Sequence, residues 1–281
     1  MKTENQKLQN LIDTHAHLHM KHFEKDRDDV FKRVTQMKFV LNVSTSIEDL
    51  NDTIKIANIL PNVFLALGIH PHDSGNVPND YIEILENLAL KNKKVLAIGE
   101  IGLDYFRNFS PIDTQKRVFA EQLMLANKLG KPVILHIRDA YEDVYEIIKL
   151  IGPENGGIVH AFSGDENWAK KFVKLGFKIG IGGPITYPKN DLLRNVVKII
   201  GVENVVTETD CPYLPPQQYR GKRNEPIYVY YVFEQLNEIF GLDIDIYDII
   251  WKNTKEILKI NEDLANSSVG DNDDWNNRRH I

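Results

Sequence analysis

Residues 95–136, VLAIGEIGLDYFRNFSPIDTQKRVFAEQLMLANKLGKPVILH, decide the fold. The stretch opens on an apolar run, Val95-Leu-Ala-Ile-Gly-Glu100, and closes on another, Pro132-Val-Ile-Leu-His136. Both are short and aliphatic, as strands buried on two faces should be. Between them, 111–129 carries the 3.6-residue periodicity of an amphipathic helix. Ser110-Pro111-Ile112-Asp113 offers an N-cap, a proline at the first helical position and an acid in the first turn, and Gly130 supplies the usual stop. Strand, helix, strand with no hairpin turn is a βαβ unit, and its two strands are parallel.

Working outward, the same unit recurs. Strands are expected over 11–15, 39–43, 63–68, 95–100, 132–136, 157–160, 178–181 and 205–208, with helices between them, for instance over 26–37, 47–60 and 80–92. The seven steps from His15 to Glu208 average about 28 residues, close to the ~30 of a βαβ unit. Eight parallel units in about 250 residues describe a (β/α)₈ TIM barrel, one domain over 11–260. A doubly wound open sheet has the same strand patterning and stays open at this point. Residues 1–10 read as a polar extension, and 261–281, rich in Asn and Asp with few large apolar side chains, as a tail outside the fold.

Composition narrows the function classes. The chain has 281 residues, 42% of them apolar, which is ample for a core. No apolar stretch reaches the ~18–20 residues of a membrane span, and the polar N-terminus is unlike a secretory signal. One cysteine, Cys211, excludes an intramolecular disulfide framework and a cysteine zinc cluster. A cytoplasmic protein is expected, without a membrane or an obligate protein partner. The net charge of −6 argues against wrapping nucleic acid over a broad basic face. Half of that charge belongs to the tail, which holds five acids and two arginines.

The nine histidines carry more information than the charge. His15 and His17 lie two apart on an extended backbone and present two imidazoles on one side. Chance placement of nine histidines would give about 0.3 such pairs, whereas the chain has three: His15/His17, His17/His19 and His70/His72. Glu100, His136 and His160 each close an apolar run, and Asp210 follows the last one. In a barrel these positions converge on the C-terminal rim, where enzymes of this fold build their sites. A buried, unpaired carboxylate or imidazole there costs several kcal/mol. Ligation of metal explains all six, His15, His17, Glu100, His136, His160 and Asp210, at once. Six ligands exceed the needs of one catalytic zinc, so a two-ion site is expected, with Glu100 able to bridge through its two oxygens.

With these motifs in place the chain resembles the TatD-type metal-dependent deoxyribonucleases, within the amidohydrolase-like barrels. The resemblance runs from Leu11 to about Ile260 and rests on IDTHAHL, GIHPH (68–72), GEIGLDY (99–105), HIRDA (136–140), HAFSG (160–164), TETDCPYLPP (207–216) and GKRNEP (221–226). It implies that His15, His17 and Asp210 hold one ion, His136 and His160 the other, and that Glu100 lies between. Glu100 also stands where many barrel hydrolases of this superfamily use a carboxylated lysine; Lys131, ahead of the fifth strand, is poorly placed for that.

Substrate contacts are expected from His70, His72, Arg138, Lys222 and Arg223, the arginines and lysine gripping phosphate. Asp104 and Glu208 would orient ligands or carry protons. Tyr105 and Phe106 are candidates to stack on a base, and Cys211 reads as a packing thiol. The implied activity is hydrolysis of DNA phosphodiesters by a 3′–5′ exonuclease. It would use two divalent ions (Zn²⁺, Mg²⁺ or Mn²⁺) and act on 3′ ends of single-stranded or damaged DNA, with Glu100 and Asp210 as the catalytic carboxylates. The same centre would also suit an ester, and D-aminoacyl-tRNA deacylation is the alternative.

Overall fold

A computed structural model describes residues 4–241 and 245–261 of the chain. Eight strands lie side by side in chain order: β1 (Ile12–Ala16), β2 (Phe39–Val43), β3 (Val63–Leu67), β4 (Val95–Asp104), β5 (Val133–Arg138), β6 (Gly157–Val159), β7 (Phe177–Ile181) and β8 (Val205–Thr207). Every neighbouring pair is parallel. The sheet closes on itself at β1 and β8, which excludes the open doubly wound alternative. At that seam Asp210 N donates to His15 O (2.9 Å) and His17 N to Cys211 O (2.9 Å). Two threonines reinforce it reciprocally, Thr14 Oγ1 bonding Thr207 O (3.0 Å) and Thr207 Oγ1 bonding Ile12 O (2.7 Å).

The outer layer is helical: α1 (Glu4–Leu8), α2 (Arg27–Val34), α3 (Leu50–Ile59), α4 (Tyr81–Lys91), α5 (Ile112–Leu129), α6 (Tyr141–Ile151), α7 (Glu166–Lys174), α8 (Asp191–Ile200), α9 (Val229–Phe240) and α10 (Ile246–Leu258). With helices outside and packed side chains inside, β1 to β4 are buried at every position. That is why these runs carry no polar alternation. α10 is pinned to the start of β8, where Asn253 Nδ2 bonds Val202 O and Val205 O. Among the described residues, no helix is long and apolar enough to cross a membrane.

Three local expectations need correction. Residues 1–10 are not simply an extension: 4–8 form α1, and Lys7 Nζ bonds Glu234 on α9 (3.2 Å). Ser110 does not cap α5, whose N-cap is Pro111 with no side-chain bond. Its hydroxyl instead donates to His72 O (2.8 Å) and accepts from Gly75 N (2.9 Å), fastening the loop after β3. Third, β4 continues past Glu100 to Asp104. Its pairing with β5 shifts register between Ile98 and Ile101 and then runs on to Asp104 opposite Arg138. Gly102 permits this: its φ is 144°, and a Cβ there would lie 2.0 Å from His136 O. The proposed tail begins at Asn261, and 262–281 lie outside the described residues.

Candidate metal centre

The ends of the strands deliver their polar side chains to the floor of a cavity of about 940 Å³. Glu100 is almost wholly buried there, and its two oxygens face different histidines. Oε2 lies 3.2 Å from His15 Nε2 and 3.7 Å from His17 Nε2. Oε1 lies 2.8 Å from His136 Nδ1, 3.6 Å from His70 Nε2 and 3.9 Å from His160 Nε2. Asp210 Oδ1 completes the floor, 3.4 Å from His17 Nε2 and 3.6 Å from His160 Nε2.

These separations fit a metal ion. Four ligands at 2.0–2.2 Å in a tetrahedron stand about 3.3–3.6 Å from one another. The His15–His17 (3.2 Å), His15–Glu100 (3.2 Å) and His17–Asp210 (3.4 Å) distances fall close to that range. Among the described residues three compact donor groups emerge: His15, His17 and Asp210; His15, Glu100 and His160; and His70, Glu100 and His136. The six residues expected as ligands are therefore brought together. His70, expected to face substrate, joins them on the Oε1 side of Glu100.

Neighbouring groups fix the imidazoles. His17 Nδ1 contacts Val43 O (2.8 Å), which leaves Nε2 for the centre. His160 Nδ1 lies 3.1 Å from Glu208 Oε1, and that oxygen also accepts from Ala161 N (2.6 Å). Gly180 makes room for this carboxylate, since a Cβ would approach Glu208 Oε2 to 2.4 Å. Asp104, fully buried, receives His72 Nε2 (2.8 Å) and His136 Nε2 (3.1 Å) on one oxygen and Arg107 N (2.7 Å) on the other. Glu208 and Asp104 thus stand behind His160 and His136 respectively. His15 stacks on His160 with ring centroids 3.4 Å apart.

The electrostatics follow from this crowding. Burial opposes charge on Glu100, but His15, His70 and His136 hold it well below the usual carboxylate range. Asp210 is also held low, because His160, His17 and His15 outweigh its burial. Burial depresses His15 and His70, each with a further push from a neighbouring imidazole, His160 and His136. For His17 the effect of burial is overcome by Asp210 and Glu100, and for His136 by Asp104 and Glu100. His160, between Glu208 and Asp210, is raised to about 10 against its burial. Cys211 is buried, and that burial pushes its thiol up, which suits packing and not nucleophilic attack.

The cavity walls sort the remaining candidates. His72 and Arg138 line it. Arg138 lies over the Phe106 ring, its guanidinium carbon 4.0 Å from the centroid. Lys222 and Arg223 do not line it. Arg223 is held by Asp26 (2.5 and 2.7 Å) and Glu225 (2.7 Å), and Lys222 Nζ stands 5.8 Å from the Tyr219 ring. Tyr105 turns its hydroxyl to Asp143 (2.6 Å). Sequence reasoning missed Arg107, Phe109 and Tyr213, which line the cavity from loops that have no periodicity to betray them. It also gave no role to Asp13, although the spacing of Asp13, His15 and His17 puts all three on one side of β1. Asp13 accepts from His15 N (3.1 Å), Thr209 N (2.9 Å) and Thr209 Oγ1 (2.6 Å), tying β1 to the segment after β8. Burial raises its carboxyl to about 8, against the opposing pull of these donors.

A closed parallel barrel with a histidine–carboxylate floor at the carboxyl ends of its strands is the architecture of a metal-dependent hydrolase. A family model described as TatD related DNase matches residues 12–259. The chain is 37% identical over 255 residues to an uncharacterized metal-dependent hydrolase, YabD, of Bacillus subtilis (strain 168), covering 89% of this chain and all of that protein. It is 34% identical over 244 residues to the 3′-5′ ssDNA/RNA exonuclease TatD of Escherichia fergusonii, covering 83% of this chain and 92% of that one. The crystal structure of YjjV, a TatD homolog from Escherichia coli K12, superposes with a TM-score of 0.85 at 30% identity, covering 90% of this chain and all of that one. The chain belongs to the TatD-related DNase family and is a metal-dependent hydrolase.

Proposed function

We propose that the chain is a cytoplasmic 3′–5′ exonuclease that removes nucleotides from DNA 3′ ends, single-stranded or damaged, with two divalent ions per chain. The observation that carries this reading is Glu100, whose two carboxylate oxygens face two different sets of imidazoles. His15, His17 and Asp210 would hold one ion, His136 and His160, with His70 alongside, would hold the other, and Glu100 would serve both. When bound, such ions lower the pKa of water toward ~7 and offset charge on the phosphoryl oxygens. The similarity to the 3′-5′ ssDNA/RNA exonuclease of Escherichia fergusonii supports the choice of nucleic acid.

The chain's own residues supply the rest. Arg107 and Arg138, exposed at the mouth and unpaired with any carboxylate among the described residues, draw a phosphate toward the floor. Asp210 takes the proton of the attacking water at its carboxylate as the oxygen reaches phosphorus. The bond from phosphorus to the 3′ oxygen breaks, and the proton passes on to that oxygen. Glu208 and Asp104 hold His160 and His136 in orientation throughout.

The test uses single-stranded oligonucleotides labelled at either end, with Zn²⁺, Mg²⁺ or Mn²⁺ and with chelator, and D-aminoacyl-tRNA in parallel. Stepwise loss from the 3′ end that chelator abolishes, with two ions per chain by elemental analysis, is expected. Chelator-resistant cleavage, or deacylation without nuclease activity, would overturn the reading.

A further inference from the structure

The cavity wall changes character around the barrel, following strand order. The loop after β4 and the end of β5 contribute the cations Arg107 and Arg138, and Phe109 of the β4 loop also lines this side. The segments that follow β6, β7 and β8, with the first turn of α8, contribute no lysine or arginine to the lining; their prominent side chains are Phe162, Pro184, Leu192 (on α8), Tyr213 and Leu214. Three of these are well exposed, Leu192 at 57%, Tyr213 at 46% and Leu214 at 37%. One exposed leucine is ordinary on any protein, but three large apolar side chains on one wall beside a buried polar centre mark a binding surface.

This wall is preformed. Tyr187 Oη bonds Pro215 O (2.7 Å) and Gln217 N bonds Thr186 Oγ1 (2.8 Å), lacing the loop after β7 to the loop after β8. Gly183 sits so close that a Cβ would lie 2.3 Å from Leu214 O. Asn224 Nδ2 fixes Tyr213 O (2.7 Å), and Tyr213 N bonds Asp210 O (2.8 Å), so the wall is continuous with the centre. Leu214 is held at φ 47°, a left-handed conformation unfavourable for leucine. The one side-chain amide on the wall, Asn190, donates to Pro184 O (3.1 Å) and accepts from Leu193 N (3.4 Å).

Resting on the nuclease reading, we propose that Leu192, Tyr213 and Leu214 form a subsite for the nucleobase of the 3′-terminal nucleotide. The base packs on the wall without its edge being read, while the phosphates of the continuing strand leave over Arg107 and Arg138. An uncharged apolar wall on one side of the centre and a cationic one on the other match a nucleotide whose base and backbone diverge from the scissile phosphate.

The test compares strands ending in a normal 3′ nucleotide with strands ending in a tetrahydrofuran abasic residue. Wild type should show a KM about tenfold higher for the abasic end, in keeping with the loss of one stacked base, and rates within about threefold for terminal A, C, G or T. Leu192→Glu, at an exposed position, and Tyr213→Ala should raise KM for the normal end several-fold and so erase the preference over the abasic end. Arg138→Ala should instead raise KM for a decanucleotide more than for a dinucleotide. Equal KM for normal and abasic ends in wild type, or a strong preference among the four bases, overturns the subsite and leaves the nuclease reading intact. Failure of wild type to cut any of these strands overturns the nuclease reading itself.

Discussion

Asp13 and Glu100 are both buried carboxylates inside the barrel, and they differ in what faces their oxygens. Asp13 is met by the backbone N–H of His15 on its own strand and by the N–H and hydroxyl of Thr209, and the Thr209 pair binds β1 to the segment following β8. Glu100 is met by imidazoles on both oxygens. The first arrangement satisfies a carboxylate for the sake of the fold. The second assembles nitrogen and oxygen donors at ligand spacing, and five histidines and two carboxylates packed together are a burden on folding unless a cation joins them. Removing each group should therefore have opposite consequences.

The largest effect belongs to Glu100→Ala. Disconnecting the two donor sets should lower kcat/KM for metal-dependent DNA hydrolysis by about 10³-fold, near 4 kcal/mol of transition-state stabilisation. Unfolding of the chelator-treated protein should show a smaller loss of stability than Asp13→Ala produces, the loss that remains being that of the counter-charge to the surrounding imidazoles. Asp13→Ala should do the reverse. It orphans two buried N–H groups and leaves the Thr209 hydroxyl only its longer contact to His15 O (3.4 Å), costing about 2–4 kcal/mol in urea denaturation, while the folded fraction keeps measurable activity. Near-normal turnover in the Glu100 variant would refute its joining role, and an undiminished Asp13 variant would refute the clasp.

Metal sharpens the same contrast. A divalent ion at about 100 times its Kd should stabilise the wild type by about 2.7 kcal/mol over the chelator-treated protein. Asp13→Ala should keep that increment from its lower baseline, and Glu100→Ala should lose most of it. Equal increments in both variants, measured by urea melts with and without Zn²⁺, would mean that the ion binds away from Glu100.

A second pair of residues divides along the same line. Arg138 lies over the Phe106 ring at the cavity mouth, whereas Arg223 is clamped by Asp26 and Glu225. Arg223→Ala should lower stability by about 1–3 kcal/mol, because it strips a part-buried network of its cation, with kcat/KM little changed. Arg138→Ala should leave the melt unmoved and weaken oligonucleotide binding about tenfold. Steady-state kinetics and denaturation on both variants decide it, and a large KM effect at Arg223 would restore that loop as a phosphate grip.

The difference between these arginines also shows what the sequence could carry. Apolar runs ending in His136, His160 or Glu100 reveal both strand and site, because a buried strand tolerates a polar residue only where the fold has a use for it. The extension of β4 from Glu100 to Asp104 was not legible in the apolar run, which ends at Glu100; it depends on Gly102, which allows close approach to His136. Arg223 was misplaced because a basic run says nothing of its partners: Asp26 lies 197 residues away. Arg107, Phe109 and Tyr213 sit on loops whose course only the closed barrel determines. His70 fell in between; its place after β3 was legible, but not its approach to Glu100.

Tyr105 supplies the smallest effect and the sharpest control on this division. Its position beside Asp104 invites a role in stacking on substrate, yet its hydroxyl points to Asp143, a residue that also pairs with Lys116 at 2.8 Å. Tyr105→Phe keeps the ring and deletes only that bond. A part-exposed hydrogen bond to a carboxylate is worth about 1 kcal/mol, so the melt should move by a degree or two, with kcat/KM on DNA within twofold of wild type. A drop of tenfold or more in kcat/KM, with stability unchanged, would move Tyr105 from the scaffold to the site. The boundary between the two would then have to run through the β4 loop and not beside it.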